Sequence, residues 1–336
     1  MDAKKVRKFV MQYAIYIVLV LLIVVIAAQN PEFLSINNLR NILIMSSTRI
    51  IIALGVGGIL ITQGTDLSAG RMVGLAAVLS ASLMQTLEYS RRFYPDLPLV
   101  SIFVPIVLCI VVGAIIGFFN GVIVSKLNVP PFIATLGMMV IVYGINSIYF
   151  ALPPNNSQPI GGLREDFTAL GTGYIGPSGP YSIPYIVIIA LVVTVLVWVL
   201  FNKTTIGKYL YAIGGNPQAA KVSGINVVGV LIFVYTFAGA MYGLAGLLEA
   251  ARTGGATNNY GNMYELDAIA ACVVGGVSTS GGIGTVPGMV AGVLIFSVIN
   301  YGLTFIGVNP YWQQIVKGLI IVFAVAFDIA KYYVKK

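Results

Sequence analysis

Two opposite charges, Asp66 and Arg71, stand in the stretch ITQGTDLSAGRMVGL between two long apolar runs. In such surroundings a carboxylate and a guanidinium are costly unless they pair, start a helix or line a polar passage. Other ionisable groups are few. Glu249 and Arg252 have the i,i+3 spacing of an ion pair on one helix face. Glu265 and Asp267 sit in YGNMYELDAIAA, where acids suit a helix start because they complement its dipole. Arg49 and Lys317 fall inside apolar runs and are expected to pair or to extend their stems to an interface. The chemistry open to this set is narrow. The chain has no histidine, which removes the commonest general base and metal ligand. It has no G-x-x-x-x-G-K-[ST] phosphate loop, no H-E-x-x-H pair and no G-x-S-x-G elbow. Cys109 and Cys272 each lie in an apolar run and read as small buried hydrophobes rather than a disulfide or a reactive thiol. No catalytic residue, metal site or cofactor is expected.

The elements that hold these groups follow from composition. Of 336 residues, 58% are hydrophobic and only 9% charged, whereas a soluble domain carries about 25% charged residues. Such a chain cannot coat itself for water, and its solvent is lipid. Apolar runs long enough to cross a bilayer recur at 10–28, 42–61, 72–87, 99–119, 131–150, 183–201, 227–248, 265–279, 286–306 and 311–328. The longest polar interval, Ala151 to Tyr181, is too short for an extramembrane domain. The expected fold is therefore an all-α integral membrane protein of about ten spans, one transmembrane domain over 1–336. An even count puts both termini on one side, and both are basic. In this register the inner segments hold Lys4, Lys5, Arg7, Lys8, Arg71, Lys126, Lys203, Lys208, Lys221, Lys331, Lys335 and Lys336 against only Asp2, Asp66 and Asp328. The outer loops hold more acids than cations, so the positive-inside rule puts both termini in the cytoplasm. The net charge of +8 is thus a topology signal. No basic stripe with interleaved aromatics points to nucleic acid.

A faint duplication relates spans 2–5 to spans 7–10. Asn30-Pro-Glu-Phe-Leu-Ser-Ile-Asn before span 2 echoes Asn216-Pro-Gln-Ala-Ala-Lys-Val-Ser-Gly-Ile-Asn before span 7. Repeats that begin an odd number of spans apart are inverted, an arrangement typical of transporters. GTDLSAG (64–70) ends span 2 and GGVSTSGGIGT (275–285) ends span 8. Both are read as interhelical loops or as elements lining a path, and they are taken as a pair. The glycine pairs 70/74, 113/117, 117/121, 239/243 and 288/292 imply closely packed helices. On the inner side, NKTTIGKYLYAIGGNPQAAKVSGINV is the longest connection. There Asn216 can cap a short helix, Pro217 suits its first turn and Gly224 would end it.

GGNPQAAKVSGINV, QGTDLSAGR, ATNNYGNMYELDAIAACVVGGVSTSGGIGTVPG and GVNPYWQQIVKG together resemble the membrane permeases of sugar-importing ABC transporters, over the whole chain. The galactose/methyl-galactoside branch is nearer than the ribose branch. The resemblance implies a non-enzymatic subunit of the bacterial inner membrane that imports a hexose such as galactose, glucose or methyl-galactoside by alternating access. It implies three partners besides the hexose: a second copy of the chain, a cytoplasmic ATPase that hydrolyses the ATP, and a periplasmic sugar-binding protein. It also matches Gln218, Ala219, Ala220 and Gly224 to the "EAA-x-x-x-G" loop that engages the ATPase, with Gln218 where glutamate is usual. Asn216, Pro217 and Lys221 complete that expected docking segment. For the path, the polar groups at the helix breaks are the candidates: Asp66, Ser68, Asn120, Ser278 and Ser280. The rivals are an ion-coupled secondary carrier, for which only Asp66 approaches the needed carboxylate, and a membrane enzyme.

Overall fold

A computed structural model describes residues 19–333 apart from 22, 177, 178 and 180. The start of the first expected span and the cations at 4, 5, 7, 8, 335 and 336 lie outside the described residues. The helices run in order α1 (Leu19–Gln29), α2 (Ile36–Ile61), α3 (Ala69–Leu83), α4 (Phe103–Lys126), α5 (Pro131–Ala151) and α6 (Glu165–Thr172). Two short strands, β1 (Tyr174–Ile175) and β2 (Ile183–Pro184), pair antiparallel. Then come α7 (Tyr185–Lys203), α8 (Thr205–Gly215), α9 (Pro217–Val222), α10 (Val227–Thr253), α11 (Tyr264–Val274), α12 (Val286–Phe305) and α13 (Pro310–Tyr333). Among the described residues, α2, α4, α5, α7, α10 and α12 are long and apolar enough to cross a membrane.

Local signals set the boundaries. Asn226 caps α10 by accepting from the Gly229 N–H at 3.0 Å, and Gly254 ends it in the left-handed region at φ 71°. Thr285 caps α12 by accepting from the Gly288 N–H at 3.1 Å. The centre of the bundle is α2, whose residues from Ile50 to Ile61 are all buried. Helix α10 packs along α4, α3 and α2. Its contact with α4 is backbone on backbone: a side chain at Gly113 would strike the Gly239 carbonyl, and one at Gly243 the Cys109 carbonyl. With lipid outside, close packing supplies the attraction that water would otherwise provide. Every glycine of the five spaced pairs meets a neighbouring helix or loop in this way. Both cysteines are free and buried, as expected.

Two helices are short. At 1.5 Å per residue, the 15 residues of α3 and the 11 of α11 are about 22 and 16 Å long, well under the roughly 30 Å of a hydrocarbon core. Their first turns meet inside the bundle, where Gly70 abuts the Gly261 carbonyl and the Glu265 carboxylate. From there α3 runs to the end holding Met84 and the Gln85–Leu163 bridge, here the upper end. Helix α11 runs to the lower end, where Gly275 touches Gly288. The ten-span register puts Arg71 in an inner segment and opens the eighth span, at YGNMYELDAIAA, on the outer side; this is corrected, because the two meet: Arg71 Nη2 donates to Asn262 Oδ1 at 2.8 Å. The two breaks have different neighbours. The first turns of α3, just after 62–68, lie against the segment before α11, with Gly70 at the Gly261 carbonyl and Gly74 at the Tyr260 carbonyl. The 275–285 loop lies beside Gln63, with Gly282 N–H donating to the Ile61 carbonyl at 2.8 Å.

Candidate functional site

The break after α2 is held by side chains from three helices. Asp66 Oδ1 accepts from the Ser68 backbone N–H at 2.9 Å and from its hydroxyl at 2.6 Å. This turn, closed by a side chain two residues back, starts α3. Asn120 of α4 donates to Ser68 Oγ at 2.9 Å. Tyr235 of α10 donates to the Thr65 carbonyl at 3.2 Å, and Leu67 N–H to Thr135 Oγ1 of α5 at 3.1 Å. Asp66, Ser68 and Asn120 are fully buried and share one network. Ser278 and Ser280 form a separate group at the lower end, where Ser280 N–H donates to Ser278 Oγ at 3.2 Å.

A chain of charges crosses the upper half of the bundle. Glu249 pairs with Arg252 at 2.7 Å, the i,i+3 contact expected from spacing. It is also buried, accepting from Thr48 at 2.9 Å and from Tyr264 at 3.1 Å. The Arg49 guanidinium lies over the Tyr264 ring, 3.4 Å from its centroid. Asp267 of α11 takes both Arg49 of α2 at 3.1 Å and Lys317 of α13 at 3.2 Å. These two embedded cations are therefore paired. They border a cavity of about 220 Å³ between α2, α11, α12 and α13, with Asn300 and Gln313 on its wall.

At the lower end, α8 and α9 form a compact projection. A side chain at Gly214 would collide with the Ile61 carbonyl, so α8 lies directly on the end of α2. Tyr211 donates to the Gly284 carbonyl at 2.9 Å, and burial raises its phenol above the ordinary value. Asn216 caps α9, accepting from the Gln218 and Ala219 N–H groups at 3.0 Å each. Gly224 then turns the chain at φ 83°. Gln218, Ala219 and Lys221 are exposed, as a docking segment requires. Ala220 is not: at 4% exposure it faces the bundle. Val222, 91% exposed, is the apolar group on the open face. Sequence reasoning missed it; Val222 is the last residue of the short capped helix α9.

The comparisons with known proteins bear on this arrangement. The profile of a family described as branched-chain amino acid transport system / permease component matches residues 38–325. The chain belongs to this permease family. The permease is similar to the galactose/methyl galactoside import permease protein of Salmonella typhimurium, with 56% identity over 96% of this chain and 95% of that one. It is also similar to the protein of the same name from Escherichia coli K12, with 54% identity over 100% of this chain and 99% of that one. The ribose import permease protein of Escherichia coli K12 is 37% identical over 97% of this chain and 96% of that one. No solved structure matches the chain. The permease is thus a multi-pass transport component and not an enzyme.

Proposed function

We propose that this permease is the membrane-spanning subunit of an ATP-driven importer of the bacterial inner membrane that admits galactose or a methyl galactoside. The identity of more than half its residues to galactose/methyl galactoside import permeases, over nearly full length, carries the reading. The lower identity to a ribose permease supports the hexose over the pentose. One transmembrane domain of ten spans, two of them the half-length α3 and α11, with both termini cytoplasmic, accords with the helix order and the charge distribution.

In this reading the lower end faces the cytoplasm and presents α8–α9 to an ATPase. Asn216, Pro217, Gln218, Ala219, Lys221 and Gly224 form the contact, joined by Val222, while Ala220 anchors α9 to the bundle. The upper end receives sugar from a periplasmic binding protein, and two copies of the permease form the membrane unit. ATP-driven closure of the ATPase pulls α9, and the contact of Gly214 on Ile61 passes that pull to the end of α2. The break at Asp66 and Ser68, to which Asn120 donates from within α4, and the break at Ser278 and Ser280 are the hinges beside the path. No cofactor is required of this chain.

The test is copurification of the permease from membranes with the ATPase and binding protein of the same importer. Association, and ATP hydrolysis stimulated by galactose-loaded binding protein, is the expected result. A permease that concentrates sugar in vesicles lacking any ATPase would instead be a secondary carrier.

A further inference from the structure

The cavity between α2, α11, α12 and α13 holds an unbalanced charge. Arg49, Arg252 and Lys317 line it, against one lining carboxylate, Asp267. Arg252 is spent on Glu249, whose two oxygens accept from its Nη2 at 2.7 Å and its Nε at 3.4 Å. Asp267 then meets both Arg49 and Lys317 through the same oxygen, Oδ2. Two cations facing one carboxylate leave a single positive charge, and among the described residues no further acid lines the cavity. Inside a membrane protein such a charge is costly unless an anion joins it. Donors are at hand. One of the three ammonium N–H groups of Lys317 goes to Asp267, which leaves two. Asn300 also borders the cavity, and its buried Oδ1 has no hydrogen-bond partner. Turning that carboxamide over breaks no bond to Oδ1 and presents its two N–H donors. Lys317 stands seven residues into α13 and Asn300 five residues before the end of α12, so each lies within about 10 Å of the upper end. Met45 and Thr304, on the same wall, are exposed, and the cavity opens to the outside beside them. Its volume of about 220 Å³ has room for a polyatomic ion.

We propose that this cavity binds one singly charged oxyanion of the phosphodiester class, held between Lys317 and Arg49 with Asn300 donating from α12. The excess of one positive charge sets the valence of the ligand. Guanidinium and ammonium groups both make charge-assisted hydrogen bonds to phosphate oxygens. A bilayer presents the phosphodiester in quantity as the headgroup of acidic lipids, and the same group free in water is the other source. Helix α13 packs against α11 and α12. The bound group ties it to α2 as well, beside the Asp267 contact, and so stabilises the bundle. The site does not depend on which sugar the permease admits.

The experiment follows binding, by native mass spectrometry, and thermal unfolding of the full-length permease in detergent. Phosphatidylglycerol is the singly charged probe, phosphatidylethanolamine the probe without net charge, and dimethyl phosphate the free phosphodiester. Phosphatidylglycerol should raise the Tm and bind at least tenfold more tightly than phosphatidylethanolamine. Lys317→Gln removes the excess charge and should weaken that binding at least tenfold, whereas Lys317→Arg keeps most of it. Asp267→Asn enlarges the excess and should tighten binding at least threefold. Lys317→Gln and Asp267→Asn break the same ion pair, so a merely structural role would not move binding in opposite directions. A Tm rise with dimethyl phosphate equal to that with phosphatidylglycerol supports the site with a soluble ion as its occupant; a rise with phosphatidylglycerol alone supports it with a lipid. Equal binding of the two lipids without a response to dimethyl phosphate would overturn the proposal. So would unchanged or weaker binding by Asp267→Asn, a result that decides the matter even if Lys317→Gln does not fold.

Discussion

At Asp267 one carboxylate serves two cations from two other helices. Asp267→Asn leaves Arg49 and Lys317 facing each other without their shared partner. All three are partly exposed, so the expected loss is about 1–2 kcal/mol, between the values for surface and buried pairs. Thermal unfolding of the purified permease in detergent checks it. Asp66 poses a different question, whether its carboxylate only starts α3 or also meets cargo. An asparagine keeps the accepting Oδ1, so Asp66→Asn should leave stability and uptake near wild type. Asp66→Ala should cost about 1 kcal/mol, as a lost cap does. If Asp66→Asn instead abolishes uptake by a folded protein, the charge itself is needed. The sequence shows that 66 and 71 belong to a helix break, but not that Arg71 turns towards Asn262: that contact joins residues from the two halves of the chain.

For whole elements, the backbone contact of α4 with α10 allows no side chain between them. Gly239→Leu should destabilise by about 1–3 kcal/mol or block assembly of the bundle, read as loss of the monodisperse peak in size-exclusion chromatography. Gly224 differs, because the space beside it is open. Gly224→Val strains only the left-handed turn, by about 1–2 kcal/mol. The permease should still insert, but binding of the ATPase should weaken, as measured by copurification. The positions of most helices were legible from apolar run length, and the start of α9 from Asn216-Pro217. Helices α6 and α8 were not legible, because each is held by contact with the bundle, as where Gly171 touches Arg252 and Gly214 touches Ile61. Nor were the neighbours of the two breaks. Glycine-rich composition drew attention to 275–285, whereas Gly70, Arg71 and Gly74 of α3 meet NNYGN. Ala220 shows the same limit: a small residue in a docking motif can serve the bundle rather than the partner.

Taken as a whole, the molecule has one end capped by the hairpin and bridged loops and another carrying α8–α9. In the proposed importer, transport is powered from outside the chain and read out as conformational work. The most direct test of that claim is uptake by proteoliposomes containing the permease, its ATPase and a galactose-loaded binding protein. Labelled methyl-galactoside should accumulate only when ATP reaches the ATPase side, and ribose should not accumulate. Accumulation without ATP, or driven by an imposed ion gradient, would contradict it.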